Sequence, residues 1–332
     1  MKPPLASPSA WLARLTASRW EWLFWIVVLV LPFLFPRRLP LISEVAILAL
    51  FALSLDLLLG YAGIVSLGHA AFFGIGAYAA GLFANHAWAE PVSGLLVAAL
   101  AAALLGFVTS FLVLRGSDLT RLMVTMGVAL ILLEVANARW LRPITGGADS
   151  LQVEIGPILG LFRFDLSGRT ACAYSLITLL LLFLVARRLV RSPFGLSLRA
   201  IKGNRLRAAS VGVPPDARLV AVYTIGAAYA GAAGALLAQT TQNVSLDVLD
   251  FHRSADVLLV LVLGGSGYLY GGLIGVTAFR LMQDVLSAET PRYWHFWVGL
   301  VLVVVVLAGR ERMSAAVQRV WTRLVPRQGQ VP

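Results

Sequence analysis

Gly264-Gly-Ser-Gly267 sets a serine among glycines, as an intramembrane nucleophile would require, and a serine nucleophile needs a histidine within hydrogen-bond reach. The next histidine along the chain is His295. The apolar run 270–287 stands between them and puts Ser266 near one membrane face and His295 near the other, so no dyad forms and proteolysis is set aside. ATP hydrolysis is also excluded: the only lysines are Lys2 and Lys202, and neither ends a Gly-x-x-x-x-Gly-Lys-[Ser/Thr] loop. Cys172 is the single cysteine, which removes disulfides within the chain and thiolate metal sites. Glu44, Asp56, Glu134, Asp256 and Asp284 lie in or near apolar runs, where a carboxylate is costly and points to function by default. Several of them sit near the ends of runs, where solvation or capping suffices. Glu134 alone lies well inside one, so it is the candidate for a proton relay, with Asn137 or Arg280 as its partner. Ser66 and His69, three residues apart, share roughly one helical face and form a candidate polar patch. His69 has two readings there: it lines a pathway and binds a polar group of a solute, or it ties two helix backbones together.

These residues need elements to hold them, and composition says where the elements lie. Of 332 residues, 59% are hydrophobic and 13% charged, which excludes an ordinary soluble domain. The formal charge of +11 comes from arginines scattered between apolar spans, without a contiguous basic domain, so nucleic acid is not a partner. Lys2, Arg14 and Arg19 ahead of the apolar Trp22–Phe35 imitate a signal peptide, but Pro36-Arg37-Arg38 follows where a small-residue cleavage site belongs. The expectation is an uncleaved first helix.

Apolar runs predict spans at 20–36, 41–59, 61–84, 92–114, 119–138, 171–190, 219–239, 255–263, 270–287 and 293–309. A crossing takes about 20 residues, so the 255–263 run is a half-helix or part of a longer tilted one. The fold class is therefore all-α, a polytopic transmembrane bundle of about ten segments, some of them broken. Residues 1–21 form a leading segment, 22–309 the membrane domain and 310–332 a basic tail. Most Arg and Lys residues fall at the N-terminus, the 187–218 loop and the tail, so these are cytoplasmic by the positive-inside rule and both termini are inside. The 139–170 loop is then external. Its Thr145-Gly-Gly-Ala-Asp-Ser150 reads as a glycine turn, and its remainder as a short hairpin or a surface helix over the outer mouth.

Two stretches carry glycine inside the membrane. The first is Leu58–Tyr78, with Gly60, Gly63, Gly68, Gly74 and Gly76; the second is Leu263–Gly275, with Gly264, Gly265 and Gly267. Dense glycine suggests close helix packing or a broken helix, and irregular backbone at that depth is tolerated only against protein or a water-filled cavity. Two interrupted segments of this kind point to a translocation pathway. The candidate pathway residues are Gly63, Ser66, Gly68, His69, Gly74, Gly264, Gly265 and Gly267.

The cytoplasmic loop Arg191–Gly212 is longer than a simple connection needs. Two short helices are expected, Phe194–Ile201 and Arg205–Val211, hinged at Gly203-Asn204. Phe194, Leu198 and Ile201 form one apolar stripe. Arg199, Lys202, Arg205 and Arg207 surround it, and the stripe suggests a helix built to dock into the groove of a soluble partner. Contacts from these arginines to lipid phosphate are the alternative.

Tyr61-Ala-Gly-x-x-Ser-Leu-Gly-His-Ala-Ala-Phe-Phe-Gly-Ile-Gly-Ala-Tyr78, Thr145-Gly-Gly-x-Asp149, Ser192-Pro-Phe-Gly-x-x-Leu-Arg-Ala-Ile201 and Leu263-Gly-Gly-x-Gly267 occur in this order. Together they resemble the permeases of branched-chain amino-acid ABC importers, the LivM-type subunit, from about Leu41 to Gly309. The resemblance implies a bacterial inner-membrane heterodimer with a sister permease, two cytoplasmic ABC ATPases that use ATP and Mg, and an extracytoplasmic solute-binding protein. This chain itself binds no cofactor or metal and is no enzyme. Phe194, Gly195, Leu198, Arg199, Ile201, Lys202, Asn204, Arg205 and Gly212 become the ATPase-coupling loop, and Thr145, Gly146, Gly147 and Asp149 the outer-mouth loop. The family's usual Thr-Gly-Gly-Ser-Asp-Gly-Leu is here Thr145-Gly-Gly-Ala-Asp-Ser150-Leu151, and Ser150 accepts positive φ less readily than glycine. The implied solutes are branched-chain or other small amino acids. Related permeases carry urea, amides or aromatic acids, which the motifs do not separate. An ATP-independent channel or secondary transporter is the rival of another class; it would need no coupling loop. With a binding protein supplying affinity, the expected pathway is glycine- and apolar-lined.

Overall fold

The computed structural model describes residues 19–289, apart from 159, 161, 163 and 165–167, together with 296, 297, 299 and 300. Helix α1 (Arg19–Leu34) leads into a single turn of 3-10 helix at Pro36–Arg38 and then α2 (Leu39–Leu55). Apart from Glu44, helix α2 is largely apolar around its circumference and most of it is buried, the pattern of an interior helix rather than an amphipathic one. It continues without a gap into a π-helical stretch, Asp56–Ala62, which Gly63 ends in the left-handed region at φ 73°. Residues 64–69 are not helical, and α3 (Ala70–His86) begins beyond them. The span expected at 61–84 is thus an irregular entry followed by a helix of 17 residues.

Helix α4 (Pro91–Val113) starts with proline at its first position, where the missing N–H would have no partner anyway. Helix α5 (Asp118–Asn137) is capped by Ser117, whose hydroxyl accepts from Thr120 N. A short α6 (Arg142–Thr145) and strand β1 (Leu151–Gln152) follow, then α7 (Arg169–Arg191), α8 (Pro193–Gly203), α9 (Arg205–Ser210) and α10 (Pro215–Thr241). Strand β2 (Asn243–Val244) pairs antiparallel with β1, Leu151 opposite Val244. Helices α11 (Phe251–Gly264) and α12 (Leu269–Glu289) end the described sequence apart from a fragment at 296–300.

Among the described residues, five helical stretches are long and apolar enough to cross a membrane: 36–62, α4, α5, α7 and α10. The pair α11–α12 adds a sixth if counted as one span, bent by 110° at residues 265–268. The short apolar run at 255–263 is accordingly the core of a 14-residue half-helix. The expected span 293–309 lies outside the described residues except at 296, 297, 299 and 300.

Helix α10 is the axis of the bundle. It contacts α3 and α4 on one side and α2 on another, while α7 and α12 close around α2. Small residues set these distances. A Cβ on Gly234 would overlap the Phe73 carbonyl of α3, and one on Gly231 would lie 2.7 Å from the Ala98 carbonyl of α4. The opposite face of α4 exposes Leu96, Leu100, Leu104, Phe107 and Phe111 at helical spacing. Such a stripe suits hydrocarbon rather than water, because lipid tails are its favoured solvent.

Candidate translocation and coupling site

The first glycine cluster is sealed against the rest of the chain. A Cβ on Gly68 would overlap the Thr125 carbonyl of α5, and Leu67 N donates to Thr125 Oγ1 at 3.3 Å. A Cβ on Gly74 would run into the Leu249 side chain. Because residues 64–69 are not helical, the expected shared helical face of Ser66 and His69 does not exist. His69 Nε2 instead lies 2.7 Å from Ser54 Oγ, and its ring stacks on Phe51 and meets Phe72 edge-on. Ser66 and His69 are fully buried, so neither can touch a solute in this conformation. Of the two roles open to His69, the geometry here is that of a side chain joining α2 to the start of α3.

The second cluster forms the bend between α11 and α12. A Cβ on Gly264 would overlap the Gly271 carbonyl, while Gly265 and Gly267 take φ of 91° and 84°. Asp56 ties this bend to the first break. Its buried carboxylate accepts from Gly267 N at 2.7 Å, just before α12 begins, where an acceptor is favoured by the free N–H groups of the helix start. On the other side of the same π-helical stretch, Lys202 Nζ donates to the Gly60 carbonyl at 2.7 Å. That carbonyl is among the last of a helix, where a cation is the fitting partner. Gly60 fits between: a Cβ there would overlap Asp56 Oδ1 and lie 2.5 Å from Gly267 N. Two broken segments and the 187–218 loop therefore meet at Asp56, Gly60, Gly267 and Lys202.

The loop forms the two expected helices, broken at Asn204, whose side chain caps α9 by accepting from Arg207 N at 2.9 Å. Its faces are the reverse of the expectation. Leu198 is 1% exposed and Ile201 is buried, while Phe194 is partly buried with its ring under the Arg218 guanidinium at 5.5 Å. The apolar stripe thus anchors α8 to its own chain. The apolar residues presented outward are Leu206, 84% exposed, and Val211, 79% exposed, with Leu196 of α8 exposed to a lesser degree. Gly195 has no room for a side chain, since a Cβ would overlap the Val190 carbonyl. Arg199 lies over the Tyr61 ring at 5.1 Å, Arg205 pairs with Asp216, and Gly212 turns at φ 91°.

At the opposite end, Thr145 Oγ1 donates to the Ala136 carbonyl at 2.8 Å, fastening the 142–149 turn to the end of α5. Gly146 and Gly147 adopt φ of 73° and 54°, and Asp149 is exposed. Ser150 takes φ 62° and ψ 154°, a region normally held by glycine, so the serine sits in a backbone conformation that glycine would adopt with less strain. Beyond it, β1 meets β2, which brings Leu151–Gln152 against Asn243–Val244. Asn85 at the end of α3 ties in: its Nδ2 donates to the Gln152 carbonyl at 2.7 Å, and its Oδ1 accepts from Glu154 N at 2.9 Å.

The carboxylates are distributed differently from the expectation. Glu134 is exposed and lies three residues from the end of α5; it is not the interior acid. Asp56 is. Arg280 pairs with Glu44 at 2.6 Å, not with Glu134. Between α2, α11 and α12, and reaching Gly299, a cavity of about 540 Å³ is bordered by Glu44, Arg253, Asp256 and Arg280 along with Leu48 and Phe279. This cavity carries charge of both signs. The sequence signal for it was the cation at Arg280 inside the predicted span 270–287, but its partner is 236 positions away and no local spacing could name it.

A family model described as "Branched-chain amino acid transport system / permease component" matches residues 38–306. The high-affinity branched-chain amino acid transport system permease protein LivM of Escherichia coli K12 is 31% identical over 319 residues, covering 86% of this chain and 73% of that protein. LivM of Salmonella typhimurium is 31% identical over 312 residues, covering 85% and 71%. The autoinducer 2 import system permease protein LsrC of Yersinia pestis is 28% identical over 195 residues, covering 57% and 52%. No solved structure matches the chain.

Proposed function

The chain belongs to the branched-chain amino acid transport system permease family, and from that premise we propose that it forms half of the membrane pathway of an ATP-driven importer of branched-chain amino acids. The family makes it an ABC permease subunit and a multi-pass protein of the inner membrane. The finer reading is that it pairs with a sister permease, rests on two cytoplasmic ABC ATPases that use ATP and Mg, and receives solute from an extracytoplasmic binding protein. Both termini are cytoplasmic in this reading, because the arginine-rich 187–218 loop and the tail share one side.

The observation that carries the coupled mechanism is the contact from Lys202 Nζ to the Gly60 carbonyl. Closure of the ATPases presses on α8 and α9. Docking uses the outward Leu206 and Val211 with the surrounding arginines, while Leu198 and Ile201 hold α8 to the bundle. Lys202 passes the displacement to the π-helical break, and Asp56 passes it on to Gly267 at the bend of α11–α12. One loop movement so reaches both interrupted segments and switches the pathway between outward and inward access. An ATP-independent channel has no use for such a linkage.

The test is gentle purification of the tagged chain from native membranes, identification of what accompanies it by mass spectrometry, and reconstitution in liposomes with the binding protein. Recovery of a second permease and two ATPase chains, with L-leucine uptake that requires ATP, is the expected result. A chain recovered alone that passes solute without ATP would overturn the proposal.

A further inference from the structure

We propose that the cavity between α2, α11 and α12 is a solute-binding station that takes the zwitterionic head of an α-amino acid, with its aliphatic side chain on the apolar wall. This rests on the importer reading above and goes further by naming where in the chain the solute is held. The first ground is depth. Arg280 is the twelfth residue of the 21-residue α12, about 16 Å along it by helical rise and about 13 Å from its other end. A cation there cannot face lipid cheaply, yet in the isolated chain the Glu44 side chain paired with it is 43% exposed. This face therefore borders water or protein.

The second ground is chemistry. A zwitterion needs an anion for its ammonium and a planar donor for its carboxylate, and Arg is the side chain shaped for the latter. Glu44 and Asp256 supply the first kind of group, Arg280 and Arg253 the second, all on one cavity. Arg280 donates through Nη1 to Gln283 at 2.7 Å and through Nη2 to Glu44 at 2.6 Å, while its buried Nε has no hydrogen-bond partner among the described residues. Leu48 and Phe279 provide apolar wall. The volume of about 540 Å³ falls in the range of small-molecule sites, about 300–1,000 Å³.

The third ground is a second charge pair. Arg38 and Asp284 pair at 2.7 Å, one helical turn from Arg280 toward the α12 end that the positive-inside reading places outside. A solute entering there meets two rungs of opposite charge in succession. At each rung the protein's own pair can open as the solute's ammonium and carboxylate replace it, so total charge stays balanced and no bare ion crosses the apolar depth. Exchange of this kind also keeps binding weak, as onward release requires.

The test uses the complete complex in proteoliposomes and the double change Glu44→Leu, Arg280→Met. A purely structural ion pair replaced by apolar groups of similar size is often neutral. If the pair is such a tie, ATP-driven L-leucine uptake persists. If the cavity is the station, uptake falls by about tenfold or more, the worth of one charge-assisted contact, while co-purification of the partner chains and the melting midpoint stay as in the parent. Should the variant fail to assemble, photo-leucine carrying a diazirine is crosslinked to the unmodified complex during turnover and mapped by mass spectrometry. Label at Leu48 or Phe279 that excess L-leucine removes supports the station; label confined elsewhere overturns it. Loss of the importer reading looks different: the unmodified complex would then take up no L-leucine under ATP.

Discussion

Gly60→Ala adds one methyl group at the point where the two broken segments and the 187–218 loop converge. The new Cβ would overlap Asp56 Oδ1 and sit 2.5 Å from Gly267 N, closer than unbonded atoms approach. Asp56 must swing away, which gives up its 2.7 Å hydrogen bond to Gly267 N inside a buried environment. A hydrogen bond to a charged group is worth about 1.5–3 kcal/mol, and forcing a methyl into a filled site costs about 1–3 kcal/mol more. Alanine's better helix propensity returns at most about 1 kcal/mol. The net expectation is a loss of about 2–5 kcal/mol. The control is Gly127→Ala on α5, where a Cβ meets nothing within 4 Å, and which should be neutral or slightly stabilising. Thermal inactivation of the purified complex at one fixed scan rate reads the difference, since unfolding of such assemblies is often irreversible. ATP-driven uptake should fall in parallel for Gly60→Ala alone. Adding Asp56→Ala removes the nearest overlapping atom, so the double variant should lose less than the sum of the two single losses. If Gly60→Ala melts and transports like Gly127→Ala, the convergence described at this glycine is wrong.

Three further perturbations address separate parts of the chain. Lys202→Met keeps an unbranched stem beside Gly63 but removes the contact to the Gly60 carbonyl, worth about 1 kcal/mol for a partly exposed cation; ATP hydrolysed per leucine imported should rise, and an unchanged ratio would remove this link from the mechanism. Ser150→Gly relieves a left-handed backbone position and should stabilise by about 1 kcal/mol, seen as a higher inactivation temperature with uptake intact. Leu206→Glu puts charge on the outward face of α9 and should abolish co-purification of the ATPase chains without lowering the melting midpoint; retained co-purification would return the docking role to another surface.

Much of the bundle was legible in the sequence because bilayer-spanning helices advertise themselves through long apolar runs. Runs such as 92–114 and 171–190 agree with α4 and α7 to within a few residues. Glycine density also marked both breaks, since tight turns at φ near 70–90° admit little else. The failures share one cause. The stripe Phe194, Leu198 and Ile201 was correctly periodic, but periodicity states only that a face is buried and not against whom; here it is buried against the parent chain. The argument for Ser66 and His69 assumed helix through Gly68, whereas residues 64–69 are irregular and lie against Thr125 of α5. Asp56 looked like a span end, although α2 runs on through it as a π-helical stretch and its carboxylate serves a backbone N–H 211 positions away. Contacts at such separation leave no local trace in a single sequence.

The glycine contacts that join α3, α4 and α10 bear on how the molecule can move. The Gly76 and Gly234 positions bring backbone against backbone, with no side chain between α3 and α10 whose rotamer could change to absorb a shift. Three helices locked in this way behave as a stator. Displacement during a transport cycle must then be taken up where elements meet through longer, replaceable contacts: the charge pairs Glu44–Arg280 and Arg38–Asp284 along α12, and the Lys202 and Asp56 bonds at the two breaks. In the proposed cycle the bent α11–α12 pair is the element left to move, held to the rest by these ion pairs as well as by the packing of Gly272 on Ala52.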